Sequence, residues 1–155
     1  MSRKKYSKNF DAIFSVALPV NHIKLIDKIC ERHGIPRACF LRSLLYTCLR
    51  YHEFNHKYHN PPPPQYFRLY SYIEAAKGGG LRNWNRKTRT VVFWINKETK
   101  EKFVNLCQLA GVETFSVVFR AIVQLFIEEI LEGRSITEAM YTVAVAFDYW
   151  LHYHR

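Results

Sequence analysis

Four side chains in one part of the sequence have the residue types and the spacing of metal ligands. They are Cys48, His52, His56 and His59. Positions separated in this way fall on one face of a helix, and sulfur and imidazole ligands are typical of zinc sites. Cys48 belongs to an apolar helical pattern, however, and Asn60 with the prolines 61–64 ends the helix near His59. The sequence therefore favours ordinary core and surface residues here, and it predicts no metal site and no cofactor.

Motifs of the common catalytic sites do not occur in the sequence. It contains no glycine-rich phosphate loop, no nucleophile elbow and no His-Glu-x-x-His helix. We therefore expect a protein that is not an enzyme.

Basic residues form two clusters, each just before or at the start of an apolar segment. The first cluster is Arg3, Lys4, Lys5 and Lys8, and the second is Arg82, Arg86, Lys87 and Arg89. The chain carries a formal net charge of +10, which favours a polyanionic partner, and nucleic acid above an acidic protein or a membrane surface. Solubilising tails are the alternative interpretation of the same clusters.

Composition and cysteine content indicate an intracellular protein. Hydrophobic residues make up 48% of the chain, enough to bury a core. No apolar run approaches the ~20 residues that a membrane span needs, and the first residues lack the apolar stretch of a signal peptide. The four cysteines are Cys30, Cys39, Cys48 and Cys107. All four lie in helical patterns, so we expect reduced core cysteines and no membrane partner.

The same order of elements occurs twice along the sequence. Each copy begins with a short alternating apolar segment, 13–18 or 90–95, and continues with two helical patterns separated by a glycine and an aliphatic residue. A shift of 77 residues carries Leu18 onto Ile95 and Gly34-Ile35 onto Gly111-Val112. Self-similarity at a fixed offset indicates two copies of one strand–helix–helix unit.

This unit resembles the ribbon-helix-helix family of DNA-binding regulators (the Arc/MetJ/CopG type). The matching residues are Leu18-Pro19 and Gly34-Ile35 in the first copy and Ile95-Asn96 and Gly111-Val112 in the second. The resemblance covers about half of the chain. It implies that two units pair their strands into an antiparallel ribbon and interlock four helices. Because both units lie on one chain, we expect strand 13–18 to pair with strand 90–95 within the chain, giving a tandem pseudo-dimer.

The predicted fold class is mainly α, with one two-stranded antiparallel β-ribbon and two helices outside the repeat. The predicted regions are a basic arm 1–12, a first unit 13–54, a connector 55–89 with a short helix 65–77, a second unit 90–131 and a C-terminal amphipathic segment 132–155. The predicted helices of the units and of the last segment span 22–33, 36–54, 97–110, 113–131 and 136–153. Asn21 and Asn96 are the predicted N-caps of the first helix of each unit.

The resemblance assigns DNA base contacts to the outer face of the ribbon. By match to the family that face carries Ile13, Ser15, Ala17, Thr90, Val92 and Trp94. Strand alternation gives the same side for the first three. Members of the family place Arg, Lys, Asn, Gln or Thr there, whereas this chain has mostly apolar residues. Ser15 and Thr90 can hydrogen-bond a base edge, and Ala17, Val92 or the Thr90 methyl can meet a thymine methyl. We therefore expect modest sequence discrimination, or discrimination by DNA shape, with ordinary exposed strand residues as the alternative.

Affinity is expected from phosphate contacts by the two basic clusters and by the N-terminus of each unit's second helix. The resemblance places these N-termini at Arg37 and Thr114, where backbone N–H groups and the helix dipole hold phosphate. Arg37 favours this role, whereas Glu113 opposes it. The difference predicts two half-sites that are not identical.

The sequence thus predicts a transcriptional regulator that binds double-stranded DNA. A nonspecific DNA-coating or architectural protein, and a protein-interaction module with the same fold, are the alternatives. The apolar stripe of the last helix belongs either to the chain's own core or to a surface for self-association. The candidate residues for self-association are Phe147, Trp150 and Leu151.

Overall fold

The computed structural model describes residues 10–77 and 87–154. Within these residues the chain is mainly helical, with six helices and one two-stranded antiparallel sheet, as the sequence predicts. In chain order the elements are β1 (Ala12–Pro19), α1 (Val20–His33), α2 (Arg37–Phe54), α3 (Pro64–Lys77), β2 (Thr88–Ile95), α4 (Lys97–Leu109), α5 (Phe115–Leu131) and α6 (Ile136–His154). Each predicted boundary of a helix or strand lies within two residues of the observed one.

The two strands pair with each other within the chain, as predicted. Phe14 lies opposite Phe93 and Val16 lies opposite Val91. These four side chains are buried, and the residues between them along each strand point to the other side. Helix α2 packs on β2 and helix α5 packs on β1. The ribbon is therefore covered on one side and open on the other.

Phe14 is at the centre of an aromatic core under the ribbon. Its ring centroid lies 5.0 Å from those of Phe93 and Phe115, 5.1 Å from that of Phe119 and 5.8 Å from that of Phe103. Aromatic pairs at such distances contribute ~0.5–1.5 kcal/mol beyond the area that they bury. Because these rings come from β2, α4 and α5, they fix β1 on the second half of the chain.

The first helices of the two halves end in the same way. Gly34 after α1 has φ +66° and Gly111 after α4 has φ +90°, a region that glycine adopts without steric cost. The backbone N–H of the next residue then closes the helix. These hydrogen bonds run from Ile35 N to Cys30 O (3.0 Å) and from Val112 N to Cys107 O (2.9 Å). The glycine and the aliphatic residue of the sequence repeat thus form the same turn twice.

The starts of the same two helices differ. The side chain of Asn96 accepts hydrogen bonds from the backbone N–H groups of Glu98 (2.9 Å) and Thr99 (3.3 Å), so its predicted N-cap role in α4 is confirmed. The prediction that Asn21 caps α1 is wrong. Strand β1 continues to Pro19, which takes the N-cap position without a side-chain cap, and Asn21 lies inside the first turn.

Helix α6 is an internal element of the fold. It packs against α2, α3 and α5, and its apolar stripe is covered by them. Phe147, Trp150 and Leu151 are each at most 1% exposed. The prediction of self-association through these three residues is therefore wrong, because their side chains are already buried within the chain. The other expectation for this stripe, intrachain core, is confirmed.

Helix α3 is attached to α5 by charged groups. The Arg68 guanidinium forms ion pairs with Glu128 (2.5 Å), Glu129 (3.1 Å) and Glu132 (3.2 Å). The Tyr72 hydroxyl also donates to Glu128. Glu129 is fully buried and is approached from the other side by Arg134, at 3.4 Å. A buried carboxylate needs such partners, so α3 supports α5 as well as covering it.

Candidate nucleic-acid interface

Strand alternation brings all six predicted base-facing residues together on one side of the ribbon, called here the outer face. The register pairs Ile13 with Trp94, Ser15 with Val92, and Ala17 with Thr90. Ala17 is half-buried, and the other five are exposed. The exposed fraction is 43% for Ile13 and 51% for both Val92 and Trp94. A two-stranded ribbon of this size fits the major groove of B-DNA, and its outer face is mostly apolar.

Three basic side chains from the helices hold the strand backbone in place. Arg42 Nη1 donates to the Trp94 carbonyl (2.9 Å), Arg120 Nε to the Ala17 carbonyl (2.7 Å) and Lys100 Nζ to the Ile13 carbonyl (2.7 Å). An exposed strand edge with unpaired carbonyls invites pairing with another strand. These contacts occupy such carbonyls at both edges and leave the outer face as the accessible side.

Arg42, Lys100 and Arg120 were not predicted as functional residues. Arg120 is 7% exposed, so its charge is largely removed from water, and this burial lowers the pKa of its guanidinium. The sequence signal was weak because Arg42 and Arg120 are single cations in apolar helical patterns, and Lys100 is one of several charged residues at the start of α4. Ala17 and Trp94 are equivalent positions of the sequence repeat, since a shift of 77 residues carries one onto the other. Each backbone carbonyl accepts a hydrogen bond from an arginine of the helix that packs on its strand.

The N-termini of α2 and α5, the predicted phosphate anchors, have no side-chain cap. Pro36 and Thr114 take the N-cap positions, and neither accepts a hydrogen bond there through a side chain. At the start of α4, by contrast, the Asp11 carboxylate accepts from Lys97 N (2.8 Å), in addition to the cap from Asn96. The first N–H groups of a helix and its dipole attract anions. Those of α2 and α5 are therefore suited to a phosphate.

Arg37 has a partner within the chain that sequence reasoning missed. Its guanidinium binds Asp27 of α1 in a bidentate ion pair, with Nε–Oδ1 2.8 Å and Nη2–Oδ2 2.7 Å. This pair raises the pKa of Arg37 and lowers the pKa of Asp27. About 40% of each side chain is exposed, so phosphate would compete with Asp27 for the guanidinium. The backbone N–H groups at the start of α2 have no such competing side chain, because the helix has no side-chain cap.

Two residues of the second basic cluster lie in the described part of the chain. Lys87 precedes β2 and Arg89 lies opposite Leu18 at the end of the ribbon, and both are exposed. Thr114, the remaining predicted phosphate residue of the described part, is exposed as well. The other predicted phosphate residues lie outside the described residues. They are Arg3, Lys4, Lys5, Lys8, Arg82 and Arg86.

The four residues with metal-ligand spacing do not come together as a site. Helix α2 ends at Phe54, so His56 and His59 lie beyond it. Cys48 is fully buried, which raises the pKa of its thiol well above the usual range. In residues 10–77 and 87–154 no group of three or more His, Cys, Asp or Glu side chains has the geometry to hold a metal ion.

His52 belongs instead to a buried polar cluster between α2 and α6. Asp148 of α6 is fully buried and accepts hydrogen bonds from His52 Nδ1 (2.7 Å), Asn55 Nδ2 (2.7 Å) and the Tyr58 hydroxyl (2.9 Å). A carboxylate with three such donors is satisfied. The cluster therefore fixes the end of α2 on α6.

Cys39 differs from the other three cysteines. Cys30, Cys48 and Cys107 are buried, as predicted, but Cys39 is exposed in the first turn of α2. Its sulfur accepts from Arg42 Nη2 at 3.4 Å. The prediction of a core position is wrong for Cys39 because its side chain lies on the face of α2 that also carries the exposed Ser43, whereas the next residue, Phe40, is buried.

No protein-family model, no curated protein and no solved structure matches this chain. Across the described ranges, no helix is both long enough and apolar enough to cross a membrane.

Proposed function

We propose that the chain is a DNA-binding transcriptional regulator, built as a tandem ribbon-helix-helix pseudo-dimer on one polypeptide. The observation that carries the proposal is the ribbon formed within the chain, whose outer face is open while its other face rests on helices from both halves. The proposed arrangement is supported by the repeated glycine turns and by the equivalent contacts of Arg42 and Arg120 with strand carbonyls.

In the proposed complex the ribbon lies in the major groove with its outer face toward the base edges. Each of the four base pairs presents a distinct pattern of chemical groups in the major groove, so the ribbon would recognise the DNA sequence there. The uncapped N-termini of α2 and α5 would each hold a phosphate beside the groove. The basic clusters before the strands would add further phosphate contacts, with Lys87 and Arg89 at one end of the ribbon. Affinity would come mainly from phosphates and discrimination from the ribbon.

The test is charge reversal in the second basic cluster, measured as DNA affinity by fluorescence anisotropy. We expect Arg86→Glu with Arg89→Glu to weaken binding at least tenfold, since two phosphate contacts become repulsive. The matched control is Arg50→Glu with Lys57→Glu, which makes the same charge change at two exposed positions, one near the C-terminal end of α2 and one just beyond it. Unchanged affinity in the first variant, or equal losses in both, would contradict the proposal.

A DNA-coating or architectural protein is the second candidate function, favoured by the apolar outer face, which has few hydrogen-bonding groups for base edges. DNase footprinting on the DNA upstream of the gene that encodes this chain, at two salt concentrations, distinguishes a regulator from a DNA-coating protein. A bounded footprint that persists at the higher salt supports a regulator. Uniform protection along the DNA that is lost at the higher salt supports a DNA-coating protein. Binding through six to ten phosphate contacts loses roughly 10³–10⁵ in affinity between about 50 and 200 mM salt.

A protein-interaction module is the third candidate, and the same outer face favours it, since Ile13, Val92 and Trp94 lie together and half exposed. An absence of DNA binding at both salt concentrations would select this candidate over the other two.

A further inference from the structure

The outer face is not symmetric, although the ribbon that carries it is built from two equivalent strands. Ser15 and Val92 are equivalent in the sequence repeat and lie directly opposite each other, so they mark the middle of the ribbon. Ile13 corresponds to Thr90, and Ala17 corresponds to Trp94. The antiparallel register places Ile13 beside Trp94 at one end and Ala17 beside Thr90 at the other. One end is therefore large and apolar, and the other is small and carries a hydroxyl.

A homodimeric ribbon presents the same residues at both ends, and so suits a DNA site with two identical halves. This chain presents different residues because both strands belong to one polypeptide. We infer that the outer face binds its DNA site in one fixed orientation, with Ile13 and Trp94 on a half-site rich in thymine methyl groups and Thr90 on a half-site read by hydrogen bonding. This inference rests on the proposed function and names the class of DNA that it would select.

Duplex DNA is the occupant of this face that the surrounding charges favour. The six outer-face residues include no acidic side chain, and the partly exposed cations Arg42 and Lys100 lie at the ribbon edges. The nearby Asp11 carboxylate is turned to the N-terminus of α4. The net charge of +10 on the chain also attracts a polyanion, whereas an apolar protein surface would gain nothing from the charge.

The apolar end also determines which base feature can be read. Isoleucine has no hydrogen-bonding side-chain group, and the indole of Trp94 has a single N–H donor, so neither can make the two-bond contact by which arginine recognises guanine. The thymine methyl is the one apolar feature in the major groove. Removing it from water beneath Ile13 and Trp94 favours thymine over cytosine. At the other end Thr90 can donate or accept a hydrogen bond, which does not depend on a methyl.

The first experiment selects binding sites from random duplexes and then replaces thymine by uracil in one half of the selected site at a time. Uracil lacks only the methyl group. We expect a nonpalindromic site and roughly a three- to fivefold loss of affinity per methyl removed in one half, with a smaller loss in the other half, where only Ala17 and the Thr90 methyl can meet a thymine methyl. Trp94→Ala with Ile13→Ser should abolish the difference between thymine and uracil. The control Leu109→Ser, which changes an exposed leucine of α4 (64% exposed), should retain it.

The second experiment measures orientation directly. Cys39 is the exposed cysteine at the start of α2, while Cys30, Cys48 and Cys107 are buried, so a DNA-cleaving iron chelate can be attached there without adding a cysteine. We expect strand cleavage on one side of the bound site, and none in the Cys39→Ser variant treated with the same reagent.

The outcomes separate the inference from the proposed function. A palindromic site, equal affinity for thymine and uracil duplexes, or cleavage on both sides would overturn the inference while leaving DNA binding intact. Failure to bind any duplex would overturn the proposed function, and the inference with it.

Discussion

The two strand–helix–helix halves, residues 12–54 and 88–131, have the same order of elements and differ in their surroundings. The second helix of the first half, α2, buries six residues, whereas that of the second half, α5, buries ten, including Arg120 and Glu129. The difference arises because α5 packs against α1, α3, α4, α6 and β1, while α2 has α6 as its main helical neighbour. Substitutions at equivalent positions of the two halves are therefore expected to change the free energy of unfolding by different amounts.

The residues of the repeat have two roles, to determine the secondary structure and to form specific polar and surface contacts. Its apolar spacing and its glycines determine which segments become strands, helices and turns, and these are the same in both halves. The residues between the apolar positions differ between the two halves, and they determine caps, ion pairs and the outer face. Substitutions at matched positions of the two halves measure how much each role contributes to the free energy of unfolding.

The largest expected effect is in the aromatic core. Phe14 and its equivalent Val91 are both buried on the inner face of the ribbon, but Phe14 contacts four other phenylalanine rings. We expect Phe14→Ala to lower the free energy of unfolding by about 3–5 kcal/mol, and Val91→Ala by about 1.5–3 kcal/mol. Urea unfolding followed by circular dichroism measures both. A loss for Val91→Ala as large as that for Phe14→Ala would show that the aromatic cluster adds nothing specific.

The next effect is at the starts of α1 and α4. Because Asn96 accepts from two backbone N–H groups, Asn96→Ala should cost about 1 kcal/mol in the free energy of unfolding. Asn21→Ala changes an exposed residue inside α1 that caps nothing, and it should stay within about 0.5 kcal/mol of the wild type. The same urea titration tests both. Equal losses for the two variants would mean that the two helix starts are alike.

The smallest effect is in the ion pair that only the first half has. Asp27 and Arg37 correspond to Val104 and Thr114 in the second half. The hydrogen bond from Arg37 lowers the pKa of Asp27, so the pair stabilises the fold above the ordinary aspartate pKa of about 3.9, and this contribution is lost as pH falls through the lowered value. Asp27→Asn should cost at most about 1 kcal/mol near neutral pH, since the pair is partly exposed.

The check on this pair is the pH dependence of the difference between wild type and variant. We expect the difference in unfolding free energy to shrink towards zero below the lowered pKa. The control Glu101→Gln removes an exposed carboxylate of α4 in the other half and should give a smaller difference at neutral pH. A difference for Asp27→Asn that persists in acid would assign its effect to packing instead.

The sequence predicted the elements well because each rests on local signals. Alternation, helical spacing and the two glycines act within a few residues, and the repeat reduced the chance that any one of them was accidental. The outer-face residues of the first strand followed from alternation, and those of the second strand from the family resemblance. Their unequal ends required the register, which sets Ile13 beside Trp94 and could be known only once the strands were paired.

The features that were missed depend on residues far apart in the sequence. Asp148 meets His52, Asn55 and Tyr58 across about 90 residues, and no local pattern connects them. Asn21 looked like a cap because the strand end was placed one residue early; the backbone N–H of Val20 in fact donates to the Lys87 carbonyl at 3.0 Å, next to the second strand. A cap depends on where the preceding strand ends, and that is a tertiary property.

The internal position of α6 has a consequence for how the protein is made. Residues 55–135 separate α2 from the helix that covers its apolar face, so on the ribosome that face remains uncovered while most of the chain is translated. The ribbon is subject to the same delay, because β1 is synthesised long before β2. We expect the nascent chain to stay incompletely folded, and open to chaperones, until residues 136–154 have emerged from the exit tunnel.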